Sequence, residues 1–232
     1  MYPANESAEL GRSGVLASCM ARVYWWMTLA LTVSGIAAFI VGTSKGLGKV
    51  FFNPPVFMGI AIAELALVVI INMGIGKLSA AVAMALFMLY ATINGITLSC
   101  IFMVYTMTSI VQVFAITAAT FAAMAVVGTV TKRDLSSLGN ILFMALLGLI
   151  IASIVNLFWR NDMLYWIVSC AGVLIFVGLT AYDANKIKMM LMEIDPEDRE
   201  AVGKVAVIGA LQLYLDFVNL LLYLLRLFGR RK

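Results

Sequence analysis

A chain of 232 residues with 63% hydrophobic and only 12% charged side chains cannot hide its apolar surface in a soluble core, since a soluble domain carries about 25% charged residues. Lipid must be the solvent for most of it. The formal charge of +4 therefore points to topology and headgroup contact rather than to nucleic acid. Histidine is absent, which removes Ser-His triads, His-ligated metals, haem ligation and a histidine pH switch.

The first twenty residues are polar and small. The first apolar run lies too deep and runs too long for a signal h-region, so no cleavable signal peptide is evident. Residues 1–22 read as a short polar tail, partly disordered or interfacial. A bilayer core needs about 20 apolar residues of helix, and such segments recur at Val23–Gly42, Pro55–Gly74, Leu78–Leu98, Ser109–Thr129, Leu138–Phe158, Met163–Asp183 and Val205–Phe228. Short polar punctuators separate them: Asn53-Pro54-Pro55, Gly74-Ile75-Gly76-Lys77, Thr131-Lys132-Arg133-Asp134, Arg160-Asn161-Asp162, and the charged 186–204 stretch. Turns this short force antiparallel neighbours. The expected fold is a compact all-α bundle of seven transmembrane helices over residues 23–228, followed by a basic tail at 229–232. Cys19, Cys100 and Cys170 sit at or inside apolar segments, and an odd count without pairing spacing argues against a disulfide framework.

With the N-terminus inside, the cytoplasmic segments hold nine basic residues: Arg12, Arg22, Lys77, Lys132, Arg133, Lys186, Lys188, Arg199 and Lys204. The opposite loops hold three, Lys45, Lys49 and Arg160. That imbalance favours an inside N-terminus. The tail disagrees, because Arg226, Arg230, Arg231 and Lys232 fall outside if the last helix crosses. Either the first helices dominate, or the last segment is re-entrant. The first helices usually win, so seven full spans are expected.

Three acidic residues fall within the spans: Glu64, Asp183 and Asp216. A carboxylate at mid-bilayer costs about 2.5 kcal/mol or more, so such groups face the bundle interior, a water-filled cavity or a partner. In the last segment Gln212, Asp216, Asn219, Tyr223 and Arg226 project onto one face within about 80° at 100° per residue. The other side is nearly all Leu, Val and Phe. Interhelical hydrogen bonding alone explains such a stripe at about 0.6 kcal/mol per contact, but it rarely needs a carboxylate. If Asp183 and Asp216 approach closely they cannot both ionise freely, and the pair shares a proton. Their oxygens also suit Ca²⁺. Spacing alone leaves them about 10 Å apart along the axis, so it does not prove the pair. Lys186, one turn beyond Asp183, offers a local ion pair instead.

Two motifs carry a resemblance. Tyr182-Asp183-Ala184-Asn185-Lys186-Ile187-Lys188 is the first; Leu213-Tyr214-Leu215-Asp216-Phe217-Val218-Asn219-Leu220 with Leu224-Leu225-Arg226-Leu227-Phe228-Gly229 is the second. They resemble the C-terminal signatures of the Bax inhibitor-1 family, in its bacterial YbhL/YccA-like branch. Asn94-Gly95-Ile96-Thr97-Leu98-Ser99 and Thr131-Lys132-Arg133-Asp134-Leu135-Ser136 are similar to its third-helix end and its fourth-to-fifth loop. The resemblance implies a seven-helix fold with the last helix central, and a pH-sensitive calcium leak in which Asp183 and Asp216 are the sensor pair. It matches Glu64 to an acidic residue of the second helix. It also implies a basic latch on the sixth-helix aspartate, for which this chain offers only Lys77.

The leading expectation is a cation leak channel or transporter in a bacterial inner membrane, gated by protonation and calcium occupancy of Asp183 and Asp216. Glu64, Lys77, Gln212, Asn219 and Tyr223 are candidate pore or gate residues. No catalysis, no cofactor beyond calcium as the ion moved or bound, and no nucleic acid partner are expected. The alternative is a membrane interaction protein that regulates a membrane-bound protease or stress signalling without moving ions, with the 186–204 stretch and basic tail as contact surfaces. An intramembrane aspartyl protease needs Gly beside its second Asp; here Leu215 and Phe217 flank it, and no Pro follows Pro196.

Overall fold

The computed structural model describes residues 4–232, with side chains from Gly14 onward save that of Lys45. Residues 1–3 of the tail expected over 1–22, and the side chain of Arg12, lie outside the described residues. The described residues form α1 (Ala4–Thr43), α2 (Lys45–Phe51), α3 (Pro54–Gly74), α4 (Ala80–Leu98), α5 (Ile101–Val104), α6 (Met107–Val130), α7 (Ser136–Trp159), α8 (Asp162–Glu193) and α9 (Arg199–Phe228). Seven stretches are long and apolar enough to cross a membrane, beginning with Gly14–Thr43 and ending with Arg199–Phe228. The protein is an all-α membrane protein. In the seventh stretch 72% of the apolar window is buried, against 39% or less in the others, so α9 is the helix most enclosed by its own chain.

Local chemistry sets the helix ends. Pro54 and Pro55 open α3 where no N–H partner is needed. Ser79 caps α4 by accepting from the Val82 amide at 3.3 Å. Asp134 accepts from the Ser136 amide and hydroxyl just before α7, which holds its exposed carboxyl below the usual range. Asp198 accepts from the amides of Glu200 and Ala201 and so starts α9.

Three segments run longer than their hydropathy suggests. Where a disordered or interfacial lead-in was expected, α1 begins at Ala4. The sixth span, expected to stop at Asp183, continues as α8 to Glu193. The seventh, expected from Val205, begins at Arg199. Short helices α2 and α5 occupy connections read as loops.

The chain divides into two compact units. Unit 1 runs up to Cys100 and adds Ile187–Leu211; unit 2 comprises Ile101–Lys186 and Gln212–Lys232. In unit 1, α1 and α4 touch backbone to backbone. The Ser34 hydroxyl donates to the Ala91 carbonyl at 2.6 Å, and a Cβ on Gly95 would lie 2.5 Å from the Ser34 oxygen. The Ala80 amide donates to Glu200 at 2.8 Å, tying the start of α4 to the start of α9. In unit 2, Phe217 of α9 packs edge-on against Phe114 and Phe121 of α6, with centroids 5.4 and 5.5 Å away. The tail after α9 is bound to the connection between the third and fourth spans. Thr106 donates to the Arg230 carbonyl, Lys232 donates to the Val104 carbonyl, and Tyr105 and Arg231 form an antiparallel bridge. A re-entrant last segment would return its tail to the side it entered from. This tail is bound to residues 104–106, where the third span ends and the fourth begins.

Candidate functional site: a carboxyl pair in unit 2

The polar stripe of α9 faces a cavity of about 590 Å³ in unit 2. Gln212, Asp216, Asn219 and Tyr223 line it from α9, and Tyr182, Asp183 and Lys186 from α8. Asn140 of α7 adds one more amide. Asp216 is only 4% exposed, whereas Asp183 is half-buried. The two carboxyls line this one cavity, close enough for each to feel the other's charge. Ionised carboxylates only accept, so a hydrogen bond between the two needs a proton on one of them. The second oxygen of Asp216 and the amide oxygen of Gln212 are buried without a partner, an arrangement that costs free energy unless something polar enters.

The axial gap of about 10 Å inferred from spacing came from ending the sixth span at Asp183. Because α8 continues to Glu193, Asp183 sits well inside the helix, and it lines the same cavity as Asp216. The local ion pair is not made: Lys186 has its ammonium 5.9 Å from the Tyr182 ring centroid, and among the described residues it has no carboxylate within 4 Å. Arg226, grouped with the stripe by its angle, lies beyond the cavity with its guanidinium 5.0 Å from the Tyr223 ring.

Glycines place these side chains. A Cβ on Gly139 would come within 2.3 Å of the Tyr182 ring, and one on Gly172 within 2.5 Å of Tyr223. Tyr223 also stacks on Phe176 at 5.7 Å. Behind Asp183, Asn185 donates to the Gly128 carbonyl at 3.2 Å. None of these contacts is visible in the spacing; small residues at helix crossings are the one general signal.

Residues 16–232 match the family described as Inhibitor of apoptosis-promoting Bax1. The chain belongs to the Bax inhibitor-1 family. It is 47% identical to the inner membrane protein YbhL of Escherichia coli K12 over 232 residues, which are 100% of this chain and 99% of that one. It is 42% identical to an uncharacterized protein of Borreliella burgdorferi, over 92% of each chain. A Streptococcus pyogenes membrane protein is 37% identical over 90% of this chain and 91% of its own. The two aspartate motifs thus sit in a chain of the Bax inhibitor-1 family along nearly its whole length.

The other residues singled out from this Bax inhibitor-1 sequence lie in unit 1. Lys77 is exposed in the turn after α3, with its amide bonded to the Gly74 carbonyl. Glu64 of α3 accepts from the Asn94 amide at 3.2 Å and from the Thr97 hydroxyl, both on α4. Asn94 and Thr97 are one turn apart, so a single carboxylate staples two successive helices. Glu64→Ala is expected to lower unfolding free energy by about 1–2 kcal/mol by removing both bonds. Glu64→Gln keeps one acceptor and should cost less than half of that. Thermal unfolding in detergent reads both, and an equal loss in the two variants would remove hydrogen bonding as the role of Glu64.

Proposed function

We propose that this protein is a pH-sensitive cation leak, with calcium as the ion moved, gated by Asp183 and Asp216. One observation carries the reading: two carboxyls that could share a proton line one polar cavity beside unpartnered oxygens of Asp216 and Gln212. Calcium takes 6–8 oxygen ligands. Among the described residues no cluster of three acidic or thiol side chains is set to hold a metal. Two carboxylates and an amide therefore suit an ion that keeps much of its water and passes on. With the proton in place, the bridge ties α8 to α9 and the path is shut. When the proton leaves, two like charges repel, and a cation entering between them stabilises the open form. The reading invokes no catalysis and no cofactor.

Purified protein in calcium-loaded liposomes tests it. Efflux is expected to exceed that of empty liposomes and to rise from mildly acidic to mildly alkaline pH. Efflux equal to the empty control at every pH would leave a membrane interaction protein as the better account.

The membrane proposed is a bacterial inner membrane, as the name of the Escherichia coli relative suggests, with the N-terminus cytoplasmic on the nine-to-three basic count. A reporter inserted at Glu197, between the sixth and seventh spans, should then read cytoplasmic, and one fused after Lys232 periplasmic. Both reporters on one side would overturn the seventh crossing; a swapped pair would overturn the orientation.

A further inference from the structure

A second cavity of unit 2, about 500 Å³, lies at the tail-bearing end and is lined by Asn156, Arg160, Asp162, Tyr165, Arg226 and Arg231 among others. Three arginines and one carboxylate are among its lining residues. Among the described residues none of the three has a carboxylate within 4 Å, so the positive charge is not neutralised in place.

The backbone is fixed at Arg160, and aromatic rings orient the side chains of Arg226 and Arg231. Arg160 ends α7 in the left-handed region at φ 44°, unusual for a residue with a Cβ. Its amide donates to the Asn156 carbonyl at 2.9 Å, and the Asn156 side chain accepts from the Asn161 amide at 3.0 Å. Arg231 donates to the Tyr165 hydroxyl at 3.4 Å with its guanidinium 6.0 Å from that ring centroid. Arg226 lies over Tyr223 at 5.0 Å. Rings orient guanidinium groups without cancelling their charge, leaving planar donor forks for a tetrahedral oxyanion. Next in sequence to the lining residues Leu157, Arg160 and Tyr165 stand large exposed aromatics. Phe158, Trp159 and Trp166 are 80%, 79% and 62% exposed, and exposed Trp marks headgroup depth.

We propose that this cavity binds the phosphate of an anionic phospholipid headgroup, with Arg160, Arg226 and Arg231 as its donors. The shared chemistry is a phosphate anion; the exposed aromatics beside the lining residues favour a lipid over a dissolved ion as its source.

Thermal unfolding of the purified protein in neutral detergent, titrated with phosphatidylglycerol, phosphatidylcholine or inorganic phosphate, tests the site. Phosphatidylglycerol is expected to raise the melting temperature saturably. Arg226→Gln and Arg231→Gln should each weaken half-saturation roughly fivefold, the effect of one basic residue near an anionic headgroup. Arg133→Gln, on a different connection, should leave it unchanged. Should a glutamine variant melt early before lipid is added, Arg226→Lys and Arg231→Lys carry the same test, with a smaller weakening expected. Equal stabilisation by phosphatidylcholine, or equal weakening in Arg133→Gln, would overturn the site. An arginine-dependent response to inorganic phosphate matching that to phosphatidylglycerol would keep the phosphate site and overturn the lipid source.

Discussion

Asp183→Asn and Asp216→Asn are each expected to flatten the dependence of calcium efflux on pH, and the double variant to add little to either. A carboxyl–carboxyl hydrogen bond exists only while one proton is shared, so it breaks when that proton leaves. An Asn amide donates to the remaining carboxylate without needing a proton, so the link between α8 and α9 persists at every pH. Each single substitution also removes the like-charge repulsion and half of the charged ligands a cation would meet. Efflux should therefore sit near the acid-side level of the parent throughout. The two groups act as one titrating unit, so their effects should be strongly non-additive. Efflux measured across pH for the parent, both single variants and the double variant decides it. If both single variants retain the parental curve, the pair is not the sensor.

Gly128→Ala is expected to damage the fold more than its single added methyl suggests. A Cβ there would stand 2.1 Å from the Ala181 carbonyl oxygen, a backbone atom of α8 that no rotamer change can move aside. The two helices would have to separate, at about 1–3 kcal/mol or more for overpacking of this kind. The same shift would stretch the Asn185 bond to the Gly128 carbonyl and displace Asp183, two residues from Ala181. Gly148→Ala in α7 is the control, since a Cβ there meets nothing within 4 Å; it should change stability by less than about 0.5 kcal/mol. Thermal unfolding in detergent compares the two. Matching melting temperatures would mean that α6 and α8 are not in backbone contact at this crossing.

The spans were legible because runs of Leu, Ile, Val and Met leave the chain no alternative to lipid. The stripe on α9 was legible too, since Gln212, Asp216, Asn219 and Tyr223 fall on one face by helical arithmetic, and they do line one cavity. The depth of Asp183 was not. Hydropathy falls at Asp183, Asn185, Lys186 and Lys188, but the helix continues because these residues tolerate helical geometry even when they resist lipid. The partners of Glu64 were half legible: Asn94 and Thr97 share a helix face, yet nothing in the spacing joins them to α3. The glycine crossings at Gly128, Gly139 and Gly172 were illegible, because each depends on a residue far along the chain.

The tail has a consequence for biosynthesis. Arg230 donates to Ser109 across 121 residues of chain, and Lys232 reaches the Phe102 carbonyl across 130. At ribosomal speed, the connection between the third and fourth spans emerges on the order of ten seconds before its partners exist. Until then the Thr106 amide and the Val104 carbonyl must be satisfied by water or headgroups. That corner of unit 2 therefore closes only after the tail is made, and a nascent chain stalled before Arg230 would leave the translocon with it open.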